Sequence, residues 1–325
     1  MSSSTTTPSN IHEKIQAIIG TDAGDRGMKS LIVPGDLEKA AETLGRLRPP
    51  SNVLVLSGFP CCVNESPPTE TDGPPGTFAI ARAAAAFGHI VTVVTDDCNK
   101  AVFAAALNGL SLPENCGKIS VETFPSTFEI CDEERFRKFA KICDLLISCE
   151  RAGPGRDGKC YTMREIDMNE KGLIAPLHRF VEEVDCKMIS IGDGGNELGM
   201  GKVIDKIINN PKISNGQKIG CVVPADFLIA ASVSNWGGYA LAAASAMVHV
   251  DELNNNETDS VPKWVDRCLP TNEDEIALLD RCVAVGCRDG VSGKMESTVD
   301  GMPLETSLQC LQDIRKAVLS NTTHD

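Results

Sequence analysis

The stretch that decides the fold runs from Asn52-Val-Leu-Val-Leu-Ser57, through the alanine-rich segment Thr77–Phe87, to Ile90-Val-Thr-Val-Val-Thr95. The two short apolar runs are typical of strands that are covered on both faces. The segment between them has the composition of a helix and is followed by Gly88, a common helix terminator. A strand, a helix and a second strand in this order form a right-handed parallel unit. The stretch therefore predicts a parallel α/β sheet.

The alternation of strands and helices continues towards the C-terminus. Further strands are predicted at Lys118–Thr123, Asp144–Cys149, Lys187–Ile191 and Lys218–Val223, and helices at Lys100–Leu107, Glu133–Cys143, Leu173–Val184, Glu273–Val285 and Leu304–Leu319. Phe227–Val250 is interpreted as a buried strand followed by a helix. The predicted class is a doubly wound, mostly parallel α/β sheet with helices on both faces. This is a Rossmann-like three-layer fold with a more helical C-terminal third.

Composition and charge limit the classes of function. The net charge of −14 disfavours nucleic-acid binding, because phosphate backbones require basic surfaces. Residues 1–10 are rich in serine and threonine and are predicted to be a disordered tail, whereas residues 11–325 are expected to form a single domain. The polar stretch Asp251–Ser260 is predicted to be an exposed loop.

The cysteines and the N-terminus bear on the compartment. The fourteen cysteines include no CxxC pair, which indicates reduced thiols in an intracellular protein rather than disulfides or structural zinc. Met1–Asn10 contains no arginine, so the N-terminus alone favours the cytoplasm over a mitochondrial or secretory route. The Asn235–Gly238 break and the flanking Asp226 and Asp251 argue against membrane insertion of Phe227–Val250.

Long glycine- and proline-rich segments follow four of the predicted strands. They are Gly58–Gly76, Glu150–Arg164, Gly192–Gly201 and Pro224–Asp226, and Ser234–Tyr239 is expected to add a further loop. The carboxyl ends of parallel strands lie at one edge of a sheet, where open α/β folds bind their ligands. These loops are therefore predicted to converge on one crevice.

The first loop is polar and ends at a predicted helix. Thr69, Glu70 and Asp72 lie close together, and Gly76 lies at the helix start. Backbone N–H groups at a helix N-terminus favour an anion. The alternative is an ordinary helix entry with proline in its first turn.

The second loop concentrates positive charge in an acidic chain. It carries Arg151, Arg156, Lys159 and Arg164, which suits an anionic small ligand such as a carboxylate. A solvated basic loop balanced by nearby acidic residues is the alternative. Gly153–Cys160 nearly matches a phosphate-binding loop, but a cysteine replaces the hydroxyl residue that would bind magnesium.

The third loop offers Asp193, Asn196 and Glu197 within five residues. Such oxygen ligands suit Mg²⁺ or Mn²⁺, with Asp72 or Asp226 as further candidate ligands, so Asp193 and Glu197 are predicted metal ligands. Alternatively, Asp193 or Glu197 acts as a general base, or Asn196 caps the next helix. None of the five histidines lies in the glycine-rich loops, which disfavours Ser-His-Asp and Cys-His mechanisms.

Several of these segments resemble one family. Pro67–Thr77, Cys149–Arg164, Ser190–Gly201, Ser234–Tyr239, and Asp289–Gly293 with Ser297–Gly301 are similar to segments of the D-glutamate cyclase C-terminal domain family. The resemblance extends over nearly the whole chain after the N-terminal tail. It implies a cyclising carbon–oxygen lyase that converts D-glutamate to 5-oxo-D-proline and water, and it implies a mitochondrial matrix location.

The implied ring closure needs a base and an acid. The α-amine must lose a proton before it attacks the γ-carboxyl carbon, and Asp193 or Glu197 is the candidate base. Hydroxide is a poor leaving group, so Tyr161 or Glu70 would protonate it.

The same reaction needs positive charge and substrate anchors. Arg151, Arg156, Lys159 or a metal ion would stabilise the developing oxyanion. Arg164, or the helix N-terminus after Gly76, would hold the α-carboxylate. Further candidate substrate-binding residues are Thr69, Asp72, Asn196 and Asn235.

A second function remains open at this point. The same loops could form a non-catalytic module that binds a small carboxylate or a phosphorylated metabolite. A small-molecule ligand is expected in both cases, without nucleic-acid or membrane partners, and a homo-oligomer is left open.

Overall fold

A computed structural model describes residues 10–253 and 260–321. It contains a sheet of six parallel strands in the order β3-β2-β1-β4-β5-β6. The strands are β1 Asn52–Gly58, β2 Ile90–Asp96, β3 Ile119–Phe124, β4 Leu145–Arg151, β5 Met188–Gly192 and β6 Phe227–Ala230. The predicted doubly wound parallel sheet is therefore confirmed.

Twelve α-helices lie around the described sheet. They are α1 Ile11–Ile19, α2 Asp36–Gly45, α3 Pro74–Ala86, α4 Lys100–Leu107, α5 Ile130–Ile142, α6 Phe180–Glu183, α7 Ile204–Ile208, α8 Gly216–Ile219, α9 Ser234–Leu253, α10 Val261–Cys268, α11 Asn272–Ala284 and α12 Leu304–Asn321. One face carries α1–α4 and α9–α12, and the other carries α5–α8. Both faces are thus covered, and the C-terminal region is helical as predicted.

The strand sequences explain the two cores. In β1, Val53 and Val55 belong to the core beneath α3 and α9, whereas Leu54 and Leu56 belong to the core beneath α5. Successive side chains of a strand point to opposite faces, so a continuously apolar strand supplies both layers.

The helices α3 and α9 pack with their backbones nearly in contact. A Cβ atom on Gly238 would lie 2.5 Å from the Cα atom of Gly76, and one on Gly76 would lie 2.7 Å from the Cα atom of Asn235. Alanines occupy much of the remaining contact between the two helices. Small residues therefore set the separation of α3 and α9, and the N-termini of both helices reach the carboxyl edge of the sheet.

The prediction of a strand at Lys218–Val223 is wrong. This segment begins within α8 and continues as a loop, whose N–H groups at Cys221 and Val222 donate to the carbonyls of Gly195 and Pro154. Its hydrogen bonds are thus made to other loops, and Phe227–Ala230 occupies the last position in the sheet.

The position of Asp226 changes as a consequence. Asp226 precedes β6 and lies at the amino edge of the sheet, where its carboxylate forms an ion pair of 2.7 Å with Lys187. It is at the opposite edge from the predicted crevice, so it is not a metal ligand in that crevice.

Other local predictions also need correction. Ser234–Tyr239 forms the first turns of α9 rather than a loop, and Leu173–Val184 contains only the short α6 after a 3₁₀ turn. The helices α1 and α2 precede the first predicted strand and were not predicted. The start of the predicted loop Asp251–Ser260 belongs to α9.

Parts of two predictions lie outside the described residues, namely the tail at residues 1–9 and the loop at residues 254–259. Asn10, the last residue of the predicted tail, caps α1 by accepting hydrogen bonds from the N–H groups of His12 and Glu13. Within residues 10–253 and 260–321, no helix combines the length and apolar character that are needed to cross a membrane.

We expect Gly238→Ala to destabilise the protein, because the added methyl group would force α3 and α9 apart. Overpacking of this kind costs about 1–3 kcal/mol of unfolding free energy. Urea unfolding followed by circular dichroism would measure the change. Ser245→Ala is the matched control in α9, since the buried Ser245 hydroxyl has no hydrogen-bond partner. Equal stability of the two variants would contradict the close-contact explanation.

Candidate active site

A cavity of about 200 Å³ opens at the carboxyl edge of the sheet. It lies beside the ends of β1 and β4, the two neighbouring strands at which the strand order reverses. This is the position at which open α/β sheets bind ligands. Seven of its lining residues are charged, namely the two arginines Arg26 and Arg164 and the five carboxylates Glu70, Glu150, Asp193, Glu197 and Asp300.

Glu150 reaches the cavity through an irregularity in β4. Ser57 of β1 pairs with Cys149, but Gly58 pairs with Arg151, so Glu150 is an additional residue that bulges from the ladder. Its φ of 44° is left-handed, which costs a residue with a side chain about 1–2 kcal/mol. Bulges often redirect a side chain beside a functional site. Here the Ser234 hydroxyl donates to the Glu150 carboxylate in the interior.

Glu197 organises the loop after β5. Its carboxylate accepts hydrogen bonds from the backbone N–H groups of Asp193, Gly194 and Gly195, at 3.2, 2.6 and 2.7 Å. These bonds hold the loop so that Asp193 faces the cavity. Asn196 also lines the cavity and donates to the carbonyl of Tyr161 at 2.8 Å, which ties this loop to the one after β4.

Arg26 connects two acidic residues that lie far apart in the sequence. Its guanidinium forms ion pairs with Asp193 and, at 2.8 Å, with Asp300. Asp22 positions this arginine, because its carboxylate accepts hydrogen bonds from the N–H groups of Arg26 and Gly27. The N-terminal segment, the loop after β5 and the C-terminal loop therefore meet at a single guanidinium.

Asp72 and Asn235 cap each other's helices. The Asp72 carboxylate accepts hydrogen bonds from the N–H groups of Ser234 and Asn235, both at 2.8 Å, at the start of α9. The Asn235 side-chain oxygen accepts from the N–H groups of Gly73 and Gly76, both at 2.9 Å, at the start of α3. The helix N-terminus after Gly76 is therefore occupied by an amide of the protein itself.

Burial and crowding shift the acid–base properties of the site. Burial raises the pKa of Glu70, Glu150 and Asp193 well above their ordinary values, and neighbouring carboxylates raise it further. The same causes raise the pKa of Asp72 to about 7 and that of Asp300 to about 8. The arginine Arg26 opposes this effect at Asp193, but the buried acids outnumber the nearby arginines, so the cluster holds protons to higher pH than exposed acids do.

Two groups of three carboxylates in the cluster have the geometry of cation sites. Oxygen atoms of Asp72, Asp193 and Asp300 lie within 4.8 Å of one another, as do those of Glu150, Asp193 and Glu197. Asp193 belongs to both groups. Carboxylate oxygens at these separations suit a hard divalent cation such as Mg²⁺ or Mn²⁺.

Some of the predicted site residues lie at the cavity, and others lie away from it. Glu70, Asp193, Glu197, Arg164 and Asn196 all line the cavity, with Arg164 at its exposed mouth, where it donates to the carbonyl of Val291. Asp72 and Asn235 form the helix caps directly beside it. These residues remain predictions as to role, but they are brought together in space.

The cationic loop after β4 is arranged differently from the prediction. Arg151 is buried and forms an ion pair with Asp96, so its charge is directed into the interior rather than towards a ligand. Arg156 is exposed, and Lys159 is half exposed and forms an ion pair with Asp167. These three cations therefore do not line the cavity.

The remaining candidates have structural contacts. The Tyr161 hydroxyl donates to Asp157 at 2.6 Å, and the Thr69 hydroxyl donates to Asn99 at 2.7 Å. Gly76 lies at the α3–α9 contact. Tyr161 bridges to Asp167 where a phosphate-binding loop would start a helix, so Gly153–Cys160 does not have that architecture.

Three charged residues of the cavity were not among the sequence candidates. Glu150 directly follows a predicted strand, so its position was a usable signal, and Asp300 lies in one of the segments that resemble the family. Arg26 precedes every predicted strand. No local pattern distinguishes Arg26 from other arginines, and only its tertiary contacts bring it to the site.

Two comparisons with known proteins bear on the chain. Residues 15–315 match the family described as "D-glutamate cyclase-like, C-terminal". The human protein named "D-glutamate cyclase, mitochondrial" is 33% identical over 335 aligned positions, which cover 94% of this chain and 52% of the human protein. The chain thus spans about half the length of this relative.

The buried acids predict an unusual pH dependence of stability. Asp72 and Asp300 have folded-state pKa values of about 7 and 8, above their unfolded values, so their contribution to stability is largest at acidic pH and is lost as pH rises through the folded values. We expect the melting temperature in EDTA to fall between pH 6.5 and 8, by roughly 2–4 °C per kcal/mol lost.

Asp300→Asn tests this origin, because asparagine tolerates the left-handed backbone of residue 300 and cannot ionise. The variant should show a smaller decrease in melting temperature across the same pH range. Histidine titration interferes little there, since burial lowers the pKa of His12, His89 and His178 below 6.5. A wild-type melting temperature that stays level or rises over this range would be inconsistent with the assignment.

Proposed function

Because the chain belongs to the D-glutamate cyclase-like C-terminal family, we propose that its cavity catalyses the cyclisation of D-glutamate to 5-oxo-D-proline and water. The observation that carries the proposal is the charge pattern of the cavity, in which two arginines lie among buried carboxylates. An amino-dicarboxylate has the complementary pattern, with two carboxylates and one ammonium group. The activity named for the human relative supports the same substrate.

The proposed binding mode places one arginine at each end of the substrate and carboxylates around its ammonium group. Arg164 at the mouth suits the α-carboxylate, which is the anchor role expected from the sequence. Arg26, deeper in the site, suits the γ-carboxyl group and the negative charge that develops on its oxygen. The ammonium group would lie among Glu150, Asp193 and Asp300, whose carboxylates attract a cation.

The proposed acid and base follow from the shifted pKa values. Asp193 serves as base, because its ion pair with Arg26 favours the carboxylate form, while burial raises its pKa and makes it a stronger base than an exposed carboxylate. Glu70 serves as acid, because burial raises its pKa well above its ordinary value and keeps a proton available at neutral pH. Glu197 holds the loop that carries the base.

The reaction balances without an external reagent. The nitrogen attacks the γ-carbon, a C–N bond forms, and a C–O bond breaks. Two protons leave the nitrogen in the course of the reaction, and both end on the departing oxygen, which leaves as water. The attack is intramolecular, so a cavity that holds the substrate folded can supply much of the rate enhancement by positioning.

A phosphorylated ligand fits the cavity less well. Five carboxylates line it and would repel a phosphate group. The N–H groups of Gly73 and Gly76 at the start of α3, which could have bound an anion, donate instead to Asn235. The charge pattern thus favours a ligand that carries an ammonium group.

We also propose that a divalent cation, Mg²⁺ or Mn²⁺, binds at Asp193. Buried carboxylates in excess of cations are costly, and an ion held by Glu150, Asp193 and Glu197, or by Asp72, Asp193 and Asp300, would offset that cost. A bound cation would polarise a carboxyl oxygen. Asp193 would give the ion one carboxylate oxygen and keep the other for the substrate amine.

The cyclase proposal is tested by incubating the protein separately with D- and L-glutamate and measuring each 5-oxoproline enantiomer by chiral chromatography. We expect the D-product. Glu70→Gln should lower kcat by about 10²–10⁴-fold with a smaller effect on KM, because glutamine cannot protonate the leaving oxygen.

Lys159→Ala is the matched control, since Lys159 was a sequence candidate and lies outside the cavity. Its kcat should stay within about twofold of wild type if only cavity residues take part, as for surface positions generally. Failure of the wild type to form 5-oxoproline would refute the cyclase proposal. Full activity of Glu70→Gln would show that Glu70 is not the acid that protonates the leaving oxygen.

The metal proposal is tested by titrating the protein with Mn²⁺ and following the electron paramagnetic resonance signal of the free ion. Asp193→Asn should weaken binding by at least about tenfold, because Asp193 belongs to both carboxylate groups. Asp226→Asn, at the opposite edge of the sheet, should bind as wild type does. Unchanged binding by Asp193→Asn would rule out this site.

A further inference from the structure

Two adjacent cysteines lie at the cavity wall. Cys61 lines the cavity, and its sulfur lies 3.9 Å from the sulfur of Cys62. The backbone of the pair is held in place, since the N–H of Cys62 donates to the carbonyl of Pro68 at 3.0 Å and its carbonyl accepts from the N–H of Glu65 at 2.8 Å. The two sulfurs are therefore kept side by side at the edge of the site.

The surroundings of the two thiols differ. Cys61 is directed towards Glu70, and the contact with the neighbouring sulfur together with burial raises the pKa of Cys61 well above its ordinary value. For Cys62, the hydrogen bond that the two thiols share and the positive charges of Arg288 and Arg164 lower the pKa. A thiol that donates to its neighbour thus stabilises the neighbour as a thiolate, which is the reactive form.

Among the other cysteines of the described structure, none has both a neighbouring thiol and a position beside the cavity. Cys131 is exposed, and Cys160, Cys221 and Cys268 are buried, with pKa values that burial raises. Cys143 and Cys186 also lie close together, with sulfurs 3.6 Å apart, and this contact lowers the pKa of Cys186, but the pair precedes β4 and β5 at the amino edge of the sheet, away from the cavity. Cys62 is partly exposed and lies beside the cavity.

We propose that Cys62 is a modification site for low-molecular-weight disulfides, that Cys61 activates it by donating a hydrogen bond, and that the adduct obstructs the cavity. The Cys62 thiolate attacks one sulfur of the small disulfide, a new S–S bond forms, and the other half leaves as a thiolate. Cys62 is oxidised and the departing half is reduced, so electrons balance. A reducing thiol reverses the exchange.

The packing explains why an adduct would obstruct the site. Gly290, Cys61 and Glu70 are closely packed in the cavity wall, since a Cβ atom on Gly290 would lie 3.2 Å from the Cys61 sulfur and 1.9 Å from a Glu70 carboxylate oxygen. The mouth is also occupied by the Arg164 side chain. Because the Cys62 sulfur contacts Cys61 in this wall, we expect a bulky group on Cys62 to push Cys61 towards the cavity.

The first experiment measures alkylation rates of individual cysteines in the full chain with iodoacetamide at pH 7, by peptide mass spectrometry. Exposure alone would make Cys131 the fastest. Activation by the neighbouring thiol and arginines makes Cys62 faster than Cys131, by about fivefold or more. A Cys131 rate equal to or above the Cys62 rate overturns the proposal.

A matched pair of variants tests the role of Cys61. Cys61→Ser keeps a hydrogen-bond donor and should preserve the fast reaction at Cys62, whereas Cys61→Ala removes the donor and should slow it towards the rate of Cys131. Equal Cys62 rates in the two variants would contradict activation by Cys61. Both variants are first checked for wild-type melting temperature. Arg288→Gln removes one of the positive charges beside Cys62 and should also slow its alkylation.

The second experiment uses oxidised glutathione as the disulfide, in a Cys186→Ser background that removes the other close thiol pair. We expect one glutathionyl group on Cys62, loss of most D-glutamate turnover, and recovery of both on reduction. The turnover readout rests on the proposed function, but the labelling readout does not. A Cys62 adduct with undiminished turnover would overturn the obstruction, and no adduct on Cys62 would overturn the site.

Discussion

The reciprocal capping of α3 and α9 by Asp72 and Asn235 is the interaction on which the rest of the site depends. Each side chain satisfies the free N–H groups of the other's helix, so the two N-termini are joined at the carboxyl edge of the sheet. The close approach at Gly76 and Gly238 permits this exchange. Asp72, a candidate ligand-binding residue, therefore also caps α9. Its carboxylate belongs to the acidic cluster.

The cavity beside these caps is unusual in its charge. Its carboxylates come from the loops after β1 and β5, from the bulge in β4 and from the C-terminal region, and Arg26 comes from the segment before β1. Both ends of the described chain therefore complete a site whose framework is the sheet. Concentrating buried acids raises their pKa values, and groups with raised pKa values are those able to exchange protons near neutral pH.

Sequence reasoning succeeded where a pattern repeats locally. Val53–Leu56 and Leu145–Ile147 alternate between two cores, so their apolar runs indicated buried strands, and Gly88 marked a helix end correctly. It failed at Cys221–Val223, an apolar run whose hydrogen bonds go to loops, and at Ser234–Tyr239, where small polar residues begin a helix that Asp72 caps. Local composition cannot reveal which distant groups will satisfy a backbone.

The sequence by itself determined the fold class and the edge of the sheet at which the charged loops meet, because side-chain periodicity and the alternation of strands and helices can be read along the chain, and the carboxyl ends of parallel strands lie at one edge. It also placed Glu70, Asp193 and Glu197 in those loops. Only the tertiary structure decided which charges face the cavity. Arg151 turns inward to Asp96, whereas Arg26 reaches Asp193 and Asp300 from distant parts of the chain. The reason is that a buried charge is stable only beside its partner, and the partner is chosen by the fold rather than by its position in the sequence.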